Sequence, residues 1–182
     1  MYGLINKALR EMICEQFGEE KWQSVFEASG VSEDSFLTMR SYDDDVTYSL
    51  VGAASEVLGA PAEACLEMFG EYWVLETAAK SYASLMDASG SSLLEFLSNL
   101  NALHDRITGT FLNYIPPEFR VESLGGNEHH IHYISQREGL TPFVVGLLNG
   151  LSQHFGNELE IREQRAMPVE TGEHTVFEVV LS

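Results

Sequence analysis

The hydrophobic pattern of the chain changes its period at the proline pair Pro116 and Pro117. Before this pair, apolar residues recur every three or four positions, which is typical of amphipathic helices. After it, residues 119–124 and 129–137 alternate apolar and polar side chains, and the Gly-Gly-Asn run at 125–127 provides the turn of a hairpin. The sequence therefore predicts an α+β fold with a helical amino-terminal half and a carboxy-terminal half that contains a β-sheet.

Capping and turn residues divide each half further. In the first half, helices are predicted to begin near residues 4, 19, 46, 61 and 92, with another over 97–111. In the second half, a helix over 140–155 and strands over 158–165 and 174–181 complete a four-stranded antiparallel sheet. A chain of 182 residues without a low-complexity linker is expected to form one domain, 1–182, around one core.

The charge balance restricts the partners of the chain. Ten basic and 28 acidic residues give a net charge of −18, which repels nucleic acids and anionic membranes and favours a protein partner with a basic face. Cys14 and Cys65 form no CxxC pair, and no apolar run reaches the roughly 18 residues of a membrane helix. Because the start of the chain also lacks the pattern of a signal peptide, we expect a cytoplasmic protein.

Catalytic motifs are absent from the sequence, which contains no HExxH, GxSxG, GxGxxG or phosphate-binding loop. We therefore expect a protein that is not an enzyme. A histidine cluster at His129, His130 and His132 resembles a metal site, because His130 and His132 project from one face of a strand. No third ligand is visible at a suitable spacing, so a dedicated metal site is disfavoured here.

Three polar residues alternate along one predicted strand: Tyr133, Ser135 and Arg137. Alternate strand residues point the same way and stand roughly 6.6–7 Å apart. Two hydroxyls and a guanidinium so placed can hold two carboxylates of one small molecule, with the arginine binding in bidentate fashion. A solvent-exposed polar strand face is the alternative, and the spacing alone favours it.

A single histidine, His104, lies in an apolar helical stripe with Leu97, Leu100, Ile107 and Phe111. A lone histidine in such a stripe is more often a core residue that bonds to a neighbour than a metal ligand. Haem, however, needs one neutral imidazole from an apolar wall and polar anchors for two propionates. The sequence supplies both requirements.

These residues match a known pattern. The Tyr-Ile-Ser-Gln-Arg run at 133–137 resembles the Tyr-x-Ser-x-Arg motif of the haem nitric oxide/oxygen-binding (H-NOX) domain, which is also the sensor of animal soluble guanylate cyclase. His104 lies where that family places its proximal haem ligand. The opening Met-Tyr-Gly-Leu-Ile-Asn-Lys and the Arg-Glu-Gly-Leu-Thr-Pro run at 137–142 resemble bacterial stand-alone members, especially cyanobacterial ones. The resemblance covers essentially the whole chain.

The resemblance implies a haem b (iron protoporphyrin IX) buried between the two halves, with His104 as the iron ligand. It also implies haem contacts from both halves, namely Tyr133, Ser135 and Arg137 at the propionates, Pro117 and Ile5 against the macrocycle, and Leu9, Trp73, Phe143 and Leu148 on the distal side.

Ligand selectivity is expected to follow from the distal side. Oxygen-binding members carry a distal tyrosine that donates to bound O2, whereas the matching position here is Pro142, followed by Phe143, and neither side chain has a donor. Trp73 takes the place of a distal asparagine, and its indole N–H could donate if it points inward, although plain packing is the commoner role of such a tryptophan. The resemblance thus implies binding of NO and CO without a stable O2 complex.

Signalling in the family starts when NO weakens the bond between iron and the proximal histidine, which shifts the helical half against the other. The chain contains no kinase or cyclase output, so the resemblance implies a separate signalling partner such as a histidine kinase or a cyclic-di-GMP enzyme. Two other functions stay open. One is a cofactor-free adaptor or scaffold, and the other is a haem enzyme such as an NO dioxygenase, which the lack of a visible distal acid–base pair disfavours.

Overall fold

The computed structural model describes residues 1–109, 111 and 114–182. Their contacts define two compact units, Met1–Phe69 and Gly70–Ser182. None of the helices in these ranges is both long enough and apolar enough to cross a membrane.

The first unit is helical. Its elements are α1 (Gly3–Phe17), α2 (Glu19–Ser29), a short 3-10 helix (Glu33–Phe36), α3 (Asp44–Leu58) and most of α4 (Ala62–Tyr72). The turn between α1 and α2 needs Gly18, whose φ of 90° is rarely adopted by residues with a side chain. This part of the chain confirms the helical prediction for the first half.

A polar contact is buried inside the first unit. The Asn6 side chain donates to the Ser35 carbonyl at 2.9 Å and accepts from the Thr47 hydroxyl at 2.6 Å. Both side-chain groups of Asn6 are thereby satisfied, although the residue is fully buried. The two hydrogen bonds tie α1 to the 3-10 helix and to α3.

The second unit combines helices with a sheet. After α4 come a π-helical segment (Trp73–Ala78), the short helices α5 (Ala79–Ser81) and α6 (Ala83–Asp87), then α7 (Leu93–Thr108), β1 (Glu118–Gly125), β2 (Glu128–Ser135), α8 (Thr141–Phe155), β3 (Leu159–Ala166) and β4 (Glu173–Leu181). The sheet is antiparallel throughout, in the order β1-β2-β4-β3. The predicted α+β class and four-stranded antiparallel sheet are confirmed.

Three elements differ from the sequence-based expectation. One helix, α7, replaces the two expected between residues 92 and 111, because their apolar residues share one face. The helix expected from residue 61 changes to π-helical geometry at Trp73. Strand β2 ends at Ser135, so Arg137 does not belong to it, because the Ser135 hydroxyl accepts from the Arg137 N–H at 3.0 Å and turns the chain.

Glycine lets α4 and α8 approach closely in the second unit. A Cβ at Gly70 would stand 2.1 Å from the Phe143 carbonyl oxygen and 2.7 Å from the Leu147 nitrogen. Farther along α8, a Cβ at Gly150 would stand 3.1 Å from the Glu71 carbonyl oxygen. Both glycines are therefore required by backbone proximity, and they fix where α8 lies beside the end of α4 and the π-helical segment.

Candidate functional site

His104 lies near the carboxy end of α7. At the other end of this helix, the Ser92 hydroxyl caps the first turn by accepting a hydrogen bond from the Glu95 N–H. The imidazole is half-buried. Its ring meets Tyr114 edge-on at 6.1 Å between centroids and lies 6.4 Å from the ring of Phe119. The only histidine of α7 therefore has two aromatic side chains as neighbours.

The protonation of His104 favours the neutral imidazole. Burial lowers the pKa of His104 below its ordinary value, while the Pro117 backbone carbonyl and Asp105 act in the opposite direction with smaller effects. Its Nδ1 atom is buried and reaches no hydrogen-bond partner in the part of the chain that the structure describes. A neutral imidazole with an unused nitrogen is the form that binds metal ions.

Asn101, one turn before His104, fixes α7 against the sheet. Its side-chain oxygen accepts from the Phe119 N–H at 2.9 Å, and its amide donates to the Phe119 carbonyl at 2.7 Å. This double hydrogen bond sets the position of the helix relative to β1. The sequence did not predict these hydrogen bonds, because a lone asparagine in a helix gives no sign of a strand partner. The one available signal was that Asn101 precedes His104 by three residues, which places both on the same side of α7.

Tyr133 and Ser135 lie on the inward face of β2 and are 2% and 8% exposed. The alternative of a wet strand face is therefore wrong for these two residues. The Tyr133 ring packs 5.5 Å from Phe119, the same ring that neighbours His104. The structure thus places the motif tyrosine and the candidate ligand next to the same phenyl ring.

Arg137 lies just beyond the end of β2 and is half-buried. Its guanidinium donates to the Ile115 carbonyl at 2.9 Å, which draws it toward the segment before β1. It also acts on Tyr114, where burial raises the pKa of the phenol and the positive charge of Arg137 lowers it by less. Tyr114 was not among the predicted site residues, although it neighbours both His104 and Arg137.

The other expected haem contacts occupy varied positions. Pro117 is half-buried and directly precedes β1. Trp73 begins the π-helical segment and packs, with Leu148, in the core of the second unit. Phe143 is half-buried in the first turn of α8, which Pro142 helps to begin. In the first unit, α1 carries the two remaining residues, the half-buried Ile5 and the fully buried Leu9.

The residues of the second unit fit a haem. His104 offers a neutral imidazole among aromatic rings, which suits axial ligation of iron. Ser135 and Tyr133 offer hydroxyls from a buried strand face, and Arg137 offers a guanidinium nearby, which together suit two carboxylates. The donor set is therefore appropriate for an iron porphyrin with two propionates.

A family model described as Haem-NO-binding matches residues 2–163. The chain belongs to the haem-NO-binding family. The match spans both compact units and includes every residue of the candidate haem site.

Curated relatives of this haem-NO-binding chain include soluble guanylate cyclases of Caenorhabditis elegans. Soluble guanylate cyclase gcy-32 is 29% identical over 189 aligned residues, which cover 97% of this chain and 28% of that protein. Soluble guanylate cyclase gcy-31 is 28% identical over 155 residues, which cover 85% of this chain and 22% of that protein. The chain thus spans about a quarter of the length of these relatives.

Solved H-NOX structures have the same fold. The H-NOX protein from S. oneidensis in its Fe(II)NO ligation state superposes with a TM-score of 0.86 at 21% identity, over 100% of this chain and 99% of that one. A mutant H-NOX protein from K. algicida in the unliganded Fe(II) state superposes with a TM-score of 0.83 at 20% identity, over 100% and 97% of the two chains. These neighbours confirm the fold class.

Proposed function

We propose that residues 1–182 form a single H-NOX sensor domain that holds haem b through His104, responds to NO and CO, and forms no stable O2 complex. When bound, ferrous haem would supply the iron that captures the gas. The domain would not be an enzyme and would pass its signal to a protein partner. Membership of the haem-NO-binding family supports the class of function.

The observation that carries the proposal is the state of His104. A buried ring nitrogen without a hydrogen-bond partner in the described ranges costs free energy, on the order of 1–3 kcal/mol, unless something else satisfies it. The lowered pKa keeps the imidazole neutral at physiological pH, so no proton competes with a metal. Both properties are those of a ligand rather than of a satisfied core histidine.

The propionate-binding role of Tyr133, Ser135 and Arg137 is supported by their burial and their chemistry. Two of the three are buried on one strand face, and the arginine follows immediately. A buried carboxylate needs hydrogen-bond donors and a positive charge to offset the loss of hydration. In this proposal, Pro117 and Ile5 pack against the macrocycle.

Selectivity for NO and CO over O2 is supported by the lack of a hydroxyl donor at Pro142 and Phe143. Bound O2 carries partial negative charge and depends on a hydrogen bond in a dry pocket, whereas NO and CO need one much less. Leu9, Trp73 and Leu148 would complete an apolar distal wall, with the Trp73 indole serving as packing.

Signalling would leave the site through His104, which would hold the haem iron and would be released from it in response to NO. Release of this histidine would free α7 to move, and Asn101 would carry the movement to β1. The receiver would be a signalling protein such as a histidine kinase or a cyclic-di-GMP enzyme. The net charge of −18 favours a receiver with a basic docking face.

Absorption spectroscopy tests the proposal. The reduced protein, examined under argon, CO, NO and air, should show an intense Soret band that shifts with CO and NO but not with air. His104→Gly should lose the haem or retain it only with added imidazole, whereas His154→Gly, the same change at an exposed histidine of α8, should behave as wild type. Colourless protein after reconstitution with hemin would support the cofactor-free adaptor instead, and a stable spectrum in air would refute the selectivity.

A further inference from the structure

A second group of potential metal ligands lies on the outer face of the sheet. It consists of Glu122 on β1 with His130 and His132 on β2, and Glu122 is directly opposite His130 in the strand register. One ligand atom from each residue lies within 4.8 Å of the others. Both histidines are partly shielded, with side chains 19% and 24% exposed.

The atoms of this group are nearly at coordination spacing. Oε2 of Glu122 is 3.8 Å from Nδ1 of His130 and 3.7 Å from Nε2 of His132. Ligands that bind tetrahedral Zn²⁺ at about 2.0–2.1 Å stand roughly 3.4 Å apart. Small side-chain rotations are therefore enough to close the three atoms around an ion.

The remaining ring nitrogens of both histidines already face partners. Nδ1 of His132 lies 3.1 Å from Nε2 of His174, and Nε2 of His130 lies 3.8 Å from Oε2 of Glu178. A histidine that binds a metal usually engages its other nitrogen in this way, which fixes its ring orientation. His174 and Glu178 both lie on β4, so a third strand orients the ligands.

We propose that Glu122, His130 and His132 bind a divalent cation of the zinc type. The set of two imidazoles and one carboxylate is one that zinc accepts with water in the fourth position. Two carboxylates at the site and the acidic chain attract cations. The ion bridges β1 and β2 and does not depend on the haem.

The site is separate from His104. Phe119, which neighbours His104, and Glu122 are an odd number of residues apart on β1, so their side chains lie on opposite faces of the sheet. His129 is likewise excluded, because it is buried on the inner face. The sequence lacked a visible third ligand only because Glu122 comes from the neighbouring strand.

Metal analysis of the whole protein tests this inference. Haem-loaded protein is stripped with EDTA, titrated with Zn²⁺ by calorimetry, and analysed for zinc after dialysis. We expect one zinc per chain, and a rise in Tm of about 5–10 °C at a hundredfold excess over Kd. His132→Ala and Glu122→Gln should abolish stoichiometric binding, and His174→Ala should weaken it about 10–100-fold.

Two controls make the result specific. His154→Ala and Glu160→Gln remove an exposed histidine and an exposed acid elsewhere in the second unit and should leave zinc affinity unchanged. Glu122 is 64% exposed, so Glu122→Gln leaves the fold intact even if a histidine variant does not fold. Absence of stoichiometric zinc, or equal affinity in wild type and Glu122→Gln, would overturn the inference.

Discussion

Replacing Asn101 with alanine should loosen the connection between α7 and the sheet. The asparagine makes two hydrogen bonds, at 2.7 and 2.9 Å, to the backbone of Phe119 in β1. Strand β1 is at the edge of the sheet, so none of the described strands lies beside it on the side away from β2. Phe119 is buried, and among the described residues the only partners of its N–H and carbonyl on that outer side are the side-chain atoms of Asn101. Asn101→Ala therefore removes two bonds and leaves two backbone groups unsatisfied.

The magnitude follows from these contacts. Each intramolecular hydrogen bond contributes about 1 kcal/mol net, and an unsatisfied buried partner adds to the loss, so Asn101→Ala should lower the free energy of unfolding by about 2–3 kcal/mol. For a chain of this length, this loss corresponds to a fall in Tm of about 5–10 °C. Asn99→Ala is the matched control, because exposed Asn99 makes one side-chain bond, to the Ser89 carbonyl at 2.9 Å. Asn99→Ala should lower the free energy of unfolding by about 1 kcal/mol or less.

Urea unfolding monitored by circular dichroism, with and without haem, provides the measurement. If Asn101→Ala costs no more than Asn99→Ala, the double bond to Phe119 does not hold α7 in place and the reasoning is refuted. A second readout is the position of His104. Asn101→Ala should change the absorption spectrum of the reduced haem protein, because the ligand's helix has lost its attachment to β1, whereas Asn99→Ala should not.

Two further predictions concern packing and pH. Gly70→Ala should lower Tm and reduce the free energy of unfolding by about 1–3 kcal/mol, because the added Cβ would collide with the backbone of α8. Gly52 lies at an exposed helical site with nothing within 4 Å of an added Cβ, so Gly52→Ala should raise the free energy of unfolding by about 0.5–1 kcal/mol. Equal effects in thermal unfolding would contradict this account. For His104, whose folded pKa is lowered from 6.5, haem-free protein should lose stability as pH falls below about 6.5, because the unfolded chain takes up the proton first. His104→Gln should flatten that part of the pH profile of urea unfolding, and an unchanged profile would show that His104 does not cause it.

Hydrophobic periodicity was sufficient to predict the fold class and most elements. The change of period after Pro116 and Pro117 placed the helices and strands in the correct order, because each period reflects one buried face. The stripe around His104 was confirmed for Leu97, Leu100 and Ile107, which lie on α7, whereas Phe111 lies beyond the end of this helix at Thr108. The segment Trp73–Ala78 was not predicted, because a π-helical turn is rare and its residues also fit an ordinary amphipathic helix.

The candidate site was predicted less completely than the fold, because it depends on the register between strands and on contacts between different elements. Tyr133 and Ser135 were expected to share a face, and they do. The hairpin turn predicted that the first two strands pair, but their register cannot be derived from the spacing of either strand, so Glu122 beside His130 was missed. The contact of Asn101 on α7 with Phe119 on β1 was missed because the sequence does not give the position of a helix relative to the sheet. Arg137 was wrongly placed on β2, because it continues the alternating pattern of Tyr133 and Ser135 and the sequence does not show that the strand ends at Ser135.

The two borders of the sheet differ in how they discourage intermolecular association. On β1, Asn101 occupies backbone groups that another molecule's strand would need. On β3, the exposed side chains include charges of both signs, at Glu160, Arg162, Glu163 and Arg165, and an irregularity between Ile161 and Glu163 interrupts the regular pairing. Sheet edges that lack such protection pair with other molecules and lead to fibrils and precipitates. The protein should accordingly remain dispersed at the high concentrations that spectroscopy and calorimetry require.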